Sequence, residues 1–138
     1  MLRSLALAGL RVLLVEDEML ISLVIEDLLA DQECVVVGPY GRINTALVDT
    51  ARTAEIDLAV LDVNVAGVKI YPVAEILTAR GIPFVLVSGY GQNAVPRDHP
   101  DWRVCVKPFR SGDLIDMMVE QVQHIKRYGV DRLADGLR

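Results

Sequence analysis

The chain is poor in several things that would each signal a class of protein. Only two of its 138 residues are cysteine, Cys34 and Cys105, and both lie in apolar surroundings (Cys-Val-Val-Val and Val-Cys-Val). That excludes a disulfide framework or a thiolate metal site and is the pattern of free thiols kept in a reducing, cytoplasmic compartment. Basic residues are outnumbered, 14 against 19 acidic, for a formal net charge of −5, and no Lys/Arg cluster stands out. Nucleic-acid binding, which relies on such clusters to meet phosphates, is therefore not expected. No window reaches the roughly 18 unbroken apolar residues of a membrane span. The first ten residues, with Ala6-Leu7-Ala8 as a mock cleavage site, lack the apolar length of a signal peptide. They are expected to be a short N-terminal extension. There is no Gly-rich phosphate loop and no G-x-x-x-x-G-K-[ST], which speaks against nucleotide binding. Repeats, low-complexity tracts and linkers are lacking too.

What is abundant is apolar surface: 52% of the residues are hydrophobic, enough for one buried core at this length. Five short runs rich in Val recur at residues 12–15, 35–37, 58–61, 84–87 and 104–106. They do not alternate with polar residues, as suits strands buried on both faces. Between them lie segments with helical spacing. Residues 19–30 place Leu20, Val24 and Leu28 on one stripe, and residues 43–54 carry Ala46, Leu47 and Ala51. Pro72 suits the first turn of a third helix, with Gly81 as its terminator. Residues 113–128 align Leu114, Met118, Val122 and Ile125 before Gly129, which is expected to end that helix. The alternation predicts an α/β fold, a flavodoxin-like, doubly wound sheet of five parallel strands joined by right-handed crossovers. Residues 89–100 hold Gly89, Gly91, Pro96 and Pro100, so the fourth helix is expected to be absent or reduced to a 3₁₀ turn. The expected organisation is an extension at 1–10, one domain at 11–129 and a frayed tail at 130–138.

The polar residues that follow the strands carry the functional signal. The first run ends in Glu16-Asp17-Glu18, the third in Asp62, the fourth in Ser88 and the fifth in Lys107-Pro108. Singly, each has an ordinary explanation: Asp17 or Glu18 as a helix cap, Ser88 as a turn residue, Lys107 as a solvated charge. Together they would converge on the carboxyl edge of the sheet, where open α/β folds bind ligands. Clustered carboxylates repel one another and call for a cation. Mg²⁺, a hard ion content with few protein oxygens and several waters, is the natural partner. Mg²⁺, a lysine and a hydroxyl suit a phosphoryl group, and an aspartate there can itself be the nucleophile.

With these residues in order, the chain resembles the receiver domain of two-component response regulators. The resemblance rests on Val-Leu-Leu-Val-Glu16-Asp17-Glu18, Leu-Ala-Val-Leu-Asp62-Val-Asn64, Val-Leu-Val-Ser88-Gly and Val-Cys-Val-Lys107-Pro108-Phe109. It implies that Asp62 accepts the phosphoryl group and that Asp17 binds Mg²⁺ directly. It also implies that Glu16 acts through water, that the Asn64 carbonyl is a further ligand, and that Ser88 and Lys107 contact the phosphoryl oxygens. A cis Lys107-Pro108 bond belongs to the same pattern. The implied reaction is transfer from a sensor histidine kinase to Asp62, followed by Mg²⁺-dependent hydrolysis. Such a chain is not an enzyme beyond its own phosphorylation and dephosphorylation, and a stand-alone receiver would signal through a downstream protein target.

The departures from the family pattern are specific. Val104 stands where an aromatic switch residue is usual, and Val65-Ala66-Gly67 replaces the usual Met-Pro. With Tyr71-Pro72-Val73-Ala74 and Ser88-Gly89-Tyr90-Gly91, they resemble the single-domain FAT GUY receivers of α-proteobacteria, which often partner HWE-type histidine kinases. Tyr90 is the candidate to replace the missing aromatic switch. Other conspicuous residues read as structural: Trp102 as packing, His99 and His124 as non-ligands, and Arg42, Arg52 and Arg80 as solvated helix charges. One rival is a Mg²⁺-dependent aspartyl phosphatase of the haloacid-dehalogenase type. It needs an acid two residues after the nucleophile, where this chain has Asn64, which cannot donate that proton. The other is a receiver-like interaction module that works without phosphorylation.

Overall fold

The computed structural model describes residues 6–136. In chain order its elements are β1 (Arg11–Val15), α1 (Met19–Asp31), β2 (Val35–Tyr40), α2 (Thr45–Thr53) and β3 (Leu58–Asp62). A small hairpin follows, β4 (Asn64–Val65) and β5 (Val68–Lys69), and then α3 (Tyr71–Ala79) and β6 (Phe84–Ser88). A 3₁₀ turn (Gly91–Ala94) leads to β7 (Val104–Val106) and α4 (Ser111–Gly136). Five strands form a parallel sheet in the order β2-β1-β3-β6-β7. This is the doubly wound α/β, flavodoxin-like architecture expected, with the fourth helix reduced to that single turn. No helix among the described residues is long and apolar enough to cross a membrane.

The two faces of the sheet bury different sets of residues. Leu13, Ala59, Leu61, Leu86 and Val104 pack against Leu47 and Ala51 of α2 and Val73 and Leu77 of α3. Their sequence neighbours Val12, Leu58, Val60, Val85 and Cys105 point the other way, against Ile25 and Leu29 of α1 and Leu114 and Met118 of α4. Burial of both faces explains why the strand runs are unbroken by polar residues. Cys34 and Cys105 are free thiols, and burial pushes both up from the ordinary thiol value.

Four expectations need correction. In α1 the Leu20 and Val24 stripe faces outward, at 78% and 51% exposure, and Ser22, Ile25 and Leu29 face the core. The helix is apolar on most of its circumference, so periodicity alone cannot choose its inner face. Gly129 does not end the last helix, which continues to Gly136. One glycine among helix formers costs only ~1 kcal/mol, and no proline follows to enforce a stop. The N-terminal extension is not peripheral throughout. Residues 6–9 form a turn that seats Leu7, fully buried, among Ile25, Leu29 and Leu114, pinned by Gly9 N–H donating to the Glu33 carbonyl at 2.8 Å. Arg80 is not merely solvated: its guanidinium donates to the Ala51 and Ala54 carbonyls at 2.6 and 2.7 Å, closing the end of α2. The remainder of the extension, 1–5, and the end of the tail, 137–138, lie outside the described residues, as does the Ile125 side chain.

Three departures from regular backbone occur along the sheet. The β4–β5 turn holds Ala66 and Gly67 at φ of 50° and 83°, the double left-handed geometry that matches hairpin twist. The Gly38-Pro39 and Lys107-Pro108 bonds are both cis. Gly38 has φ of 106°, and a Cβ there would stand 3.0 Å from the Tyr40 nitrogen and 3.1 Å from the Leu14 carbonyl oxygen. Gly38→Ala is accordingly expected to destabilise the fold by roughly 2–4 kcal/mol. At Gly81, which has φ of 72° and open space around a Cβ, the same change should cost only ~1 kcal/mol. Urea unfolding of the two variants measures the difference, and equal losses would contradict the steric assignment.

Candidate functional site

The in-register sheet ends β1, β3, β6 and β7 along one edge, since Val15 pairs with Leu61, Asp62 with Val87 and Ser88 with Val106. Each strand delivers its next polar residue to that edge. Glu16 and Asp62 are buried, at 3% and 6% exposure, and Ser88 is at 4%. Lys107 reaches in from the end of β7. Its Nζ lies 3.0 Å from Glu16 Oε1, 3.3 Å from Asp62 Oδ2 and 3.9 Å from Glu18 Oε1.

Hydrogen bonds aim the carboxylates. Glu16 Oε2 accepts from the Glu18 amide at 3.1 Å, whereas buried Oε1 accepts no hydrogen bond and meets only the charge of Lys107. Asp17 Oδ2 accepts from the Ala66 amide at 2.9 Å, so the hairpin turn fixes its direction. Asp62 Oδ1 accepts a long bond, 3.4 Å, from the Asn64 amide. Ser88 Oγ accepts from the Tyr90 amide at 3.0 Å. Glu18 occupies the cap position of α1 but makes no side-chain capping bond. The ordinary capping explanation thus fails for both acids that follow Glu16.

These contacts set the proton affinities. Burial, and then the neighbouring Glu16 carboxylate, push Asp62 up to about 7 against the opposing pull of Lys107. Burial also acts to raise Asp17, but the bond from the Ala66 amide, with the Asp62 and Glu16 carboxyls close beside it, outweighs burial and holds Asp17 below its ordinary value. Burial would lower Lys107, yet its ion pairs with Glu16 and Asp62 prevail and raise it.

One oxygen each of Glu16, Asp17 and Asp62 lies within 4.8 Å of the others. Three carboxylates against one ammonium leave the cluster short of positive charge, and Glu16 Oε1 is a buried acceptor without a donor. A hard dication with oxygen ligands answers both deficits, so the residues present fit Mg²⁺. They open into a cleft of about 640 Å³ lined by Asp17, Asp62, Asn64, Ser88, Tyr90 and Lys107. All seven sequence-predicted site residues therefore gather here, Glu16 from beneath and the other six on the wall. Tyr90 is 78% exposed at the mouth.

Sequence reasoning missed Tyr71 and Lys69, which also line the cleft. The Tyr71 hydroxyl donates to the Ala94 carbonyl and so ties α3 to the 3₁₀ turn. Its place in the Tyr71-Pro72-Val73-Ala74 run was the signal in the sequence, but the hairpin that precedes it was not anticipated.

The sequence matches no family model and no curated protein. Solved structures do match. SdrG from Sphingomonas melonis Fr1 is 37% identical over 86% of this chain and 98% of that one, with a TM-score of 0.68. A response regulator receiver protein from Sinorhizobium medicae WSM419 is 24% identical over 83% and 95%, with a TM-score of 0.70. The receiver domain of the sensor histidine kinase PA1611 from Pseudomonas aeruginosa PAO1, which has a magnesium ion in its active-site cleft, is 20% identical over 84% and 99%, with a TM-score of 0.67. The last two likenesses are of fold alone.

The raised proton affinity of Asp62 has a consequence for stability. Between about pH 4, where the unfolded chain releases this proton, and about 7, where the folded chain does, the native state binds more protons. Metal-free stability therefore falls as pH rises through that window. Asp62→Asn should stabilise the metal-free protein by ~2 kcal/mol more at pH 8 than at pH 5. Urea unfolding in chelator at the two pH values checks this, and a gain equal at both would contradict the burial of a charged Asp62.

Proposed function

The chain belongs to the receiver-domain family of response regulators, and from that premise we propose that it takes a phosphoryl group from a sensor histidine kinase onto Asp62. The observation that carries this reading is the placement of Lys107 Nζ between Asp62 Oδ2 and Glu16 Oε1 at the open edge of the sheet. Ser88 lines the same cleft.

In this reading an Asp62 carboxylate oxygen attacks the phosphorus of a phosphohistidine. The P–N bond breaks with its electron pair staying on the ring nitrogen, an acyl phosphate forms on Asp62, and the ring, already protonated on its other nitrogen, leaves as neutral imidazole. Lys107 is already in contact with the nucleophile and turns its ammonium to a phosphoryl oxygen as the carboxylate loses charge. The Ser88 hydroxyl, which accepts from the Tyr90 amide, is free to donate its own hydrogen to another. Glu16, Asp17, Asp62 and the Asn64 carbonyl would hold Mg²⁺, which supplies charge neutralisation for the phosphoryl oxygens. Hydrolysis later adds water across the acyl phosphate, returning the Asp62 carboxylate and inorganic phosphate. No turnover of an external substrate is involved, and no observation favours the phosphatase or the phosphorylation-independent reading.

The phosphorylated form signals by protein contact. Met19, Leu20, Leu23 and Val24 are 51% to 78% exposed on the first turns of α1, directly after the carboxylates. Such an apolar patch beside a charged cleft suits a protein partner rather than a nucleic acid. Within the family, the Val104 position, the Ser88-Gly89-Tyr90-Gly91 run and the single 3₁₀ turn support membership of the FAT GUY subgroup and pairing with an HWE-type kinase in a reducing cytoplasm.

Beryllofluoride with Mg²⁺, which imitates a phosphoryl group, is expected to shift the amide resonances of residues 88–100 and 107 in the wild type and to leave Asp62→Asn unchanged. A spectrum unaltered in both would contradict the phosphoacceptor role. Tyr90→Ala should retain the shift at residue 107 and lose most of it across 91–100. If the loop response survives intact, Tyr90 is not the switch.

A further inference from the structure

A second group of donor atoms lies outside the phosphoacceptor cleft. His99, in the segment that replaces the fourth helix, directs Nε2 onto Glu75 Oε1 of α3 and stands 3.8 Å from Asp98 Oδ2. One ligand atom from each residue lies within 4.8 Å of the other two. His99 does not stand out as a ligand in the sequence, because Glu75 comes from a different element and Asp98 is only its neighbour.

The imidazole is held in place rather than left to rotate. It stacks on the Trp102 indole with ring centroids 4.0 Å and planes 4° apart. Trp102 is buried and packs edge-on against Phe84 of β6 at 5.3 Å. One ring face is thereby covered and the nitrogen edge stays turned toward the carboxylates. Charge is unbalanced there. Among the described residues, His99 is the only basic side chain within ion-pair distance of Glu75 or Asp98. Two carboxylates facing one imidazole remain negative whether or not that imidazole carries a proton.

We propose that Glu75, Asp98 and His99 hold a transition-metal dication of the zinc class, bridging α3 and the 89–100 segment. An imidazole nitrogen with two carboxylate oxygens suits zinc, cobalt or nickel, whereas magnesium and calcium select oxygen alone. That separates this site from the all-oxygen cluster around Asp62. Donors ~2.1 Å from one ion at tetrahedral angles stand ~3.4 Å apart, so the 3.8 Å between Nε2 and Asp98 Oδ2 closes with a small rotation of an exposed side chain. Three protein donors leave a fourth position for water. Glu75 lies one helical turn beyond Tyr71, so the ion would fasten the segment to α3 at a second point beside the Tyr71 bond to Ala94. The two sites share no donor, and this one stands whether or not Asp62 accepts phosphate.

Trp102 is the only tryptophan and stacks on the proposed ligand, so its fluorescence reports occupancy. The whole chain, stripped with chelator and kept in excess Mg²⁺, is titrated with Zn²⁺ by calorimetry and with paramagnetic Co²⁺ by fluorescence. One Zn²⁺ per chain and quenching by Co²⁺ are expected. His99→Ala and Glu75→Gln should each weaken Zn²⁺ binding by roughly 100-fold and Asp98→Asn by about 10-fold, with Asp62→Asn and His124→Ala unchanged. Glu75→Gln preserves size and hydrogen bonding, and a matching far-ultraviolet spectrum shows that the fold persists. No Zn²⁺ binding in excess Mg²⁺ would overturn the proposal. So would binding indifferent to both Glu75→Gln and His99→Ala, or binding lost in Asp62→Asn, which would place the ion in the phosphoacceptor cleft.

Discussion

The site is organised by one ammonium group held against two buried carboxylates. Lys107 Nζ faces Glu16 Oε1 and Asp62 Oδ2 at 3.0 and 3.3 Å, and burial of two carboxylates at that depth would be costly without a cation beside them. The arrangement is nonetheless incomplete, since one positive charge faces at least two negative ones. Burial, and then the Glu16 carboxylate, keep the proton affinity of Asp62 high, and the charge shortfall suits a cation. A phosphoryl group arriving on Asp62 replaces a carboxylate charge by three oxygens, and Lys107 is already within reach of them.

Everything else in the fold serves to bring these groups to one edge. Parallel pairing of β1, β3, β6 and β7 in register means that each strand's first polar residue emerges at a similar height. Apolar residues on both sheet faces hold that register, because a slip by one position would turn the Leu13, Ala59 and Leu61 side toward the wrong helices. The β4–β5 hairpin adds what the sheet cannot. Its Ala66 amide fixes Asp17, so a turn with two left-handed residues aims one carboxylate of the acidic cluster.

Much of this was legible in the sequence because the signals were redundant. Unbroken Val-rich runs, Pro72 at a helix start, Gly81 at its end and acidic, hydroxyl and lysine residues after successive strands all agree with one architecture. The failures share a physical cause: local patterns cannot fix relations between distant segments. α1 is apolar nearly all round, so only its packing on the sheet decides that Ile25 is inside and Leu20 outside. Arg80 looks like a surface charge until α2 brings two open carbonyls to it. Ala66-Gly67 lacks the Asn-Gly or Asp-Gly signature of a hairpin, and His99 gains its carboxylate neighbours only when α3 and the loop before β7 come together. The same limit applies to Tyr71, whose hydroxyl finds Ala94 across 23 positions.

The loss of an aromatic at Val104 shifts attention to the segment between β6 and β7. It is tied to the site through the Tyr90 amide on Ser88 and to α3 through Tyr71 and His99, so a change at Asp62 has a short physical route into it. All of this depends on Asp62 being the group that is modified. The most direct measurement treats the protein with phosphoramidate and Mg²⁺, traps any acyl phosphate with borohydride, and locates the reduced residue by mass spectrometry. The account predicts conversion at Asp62, lost when the metal is chelated and slowed at least tenfold in Lys107→Ala. Label on another residue, or none at all under these conditions, would contradict it.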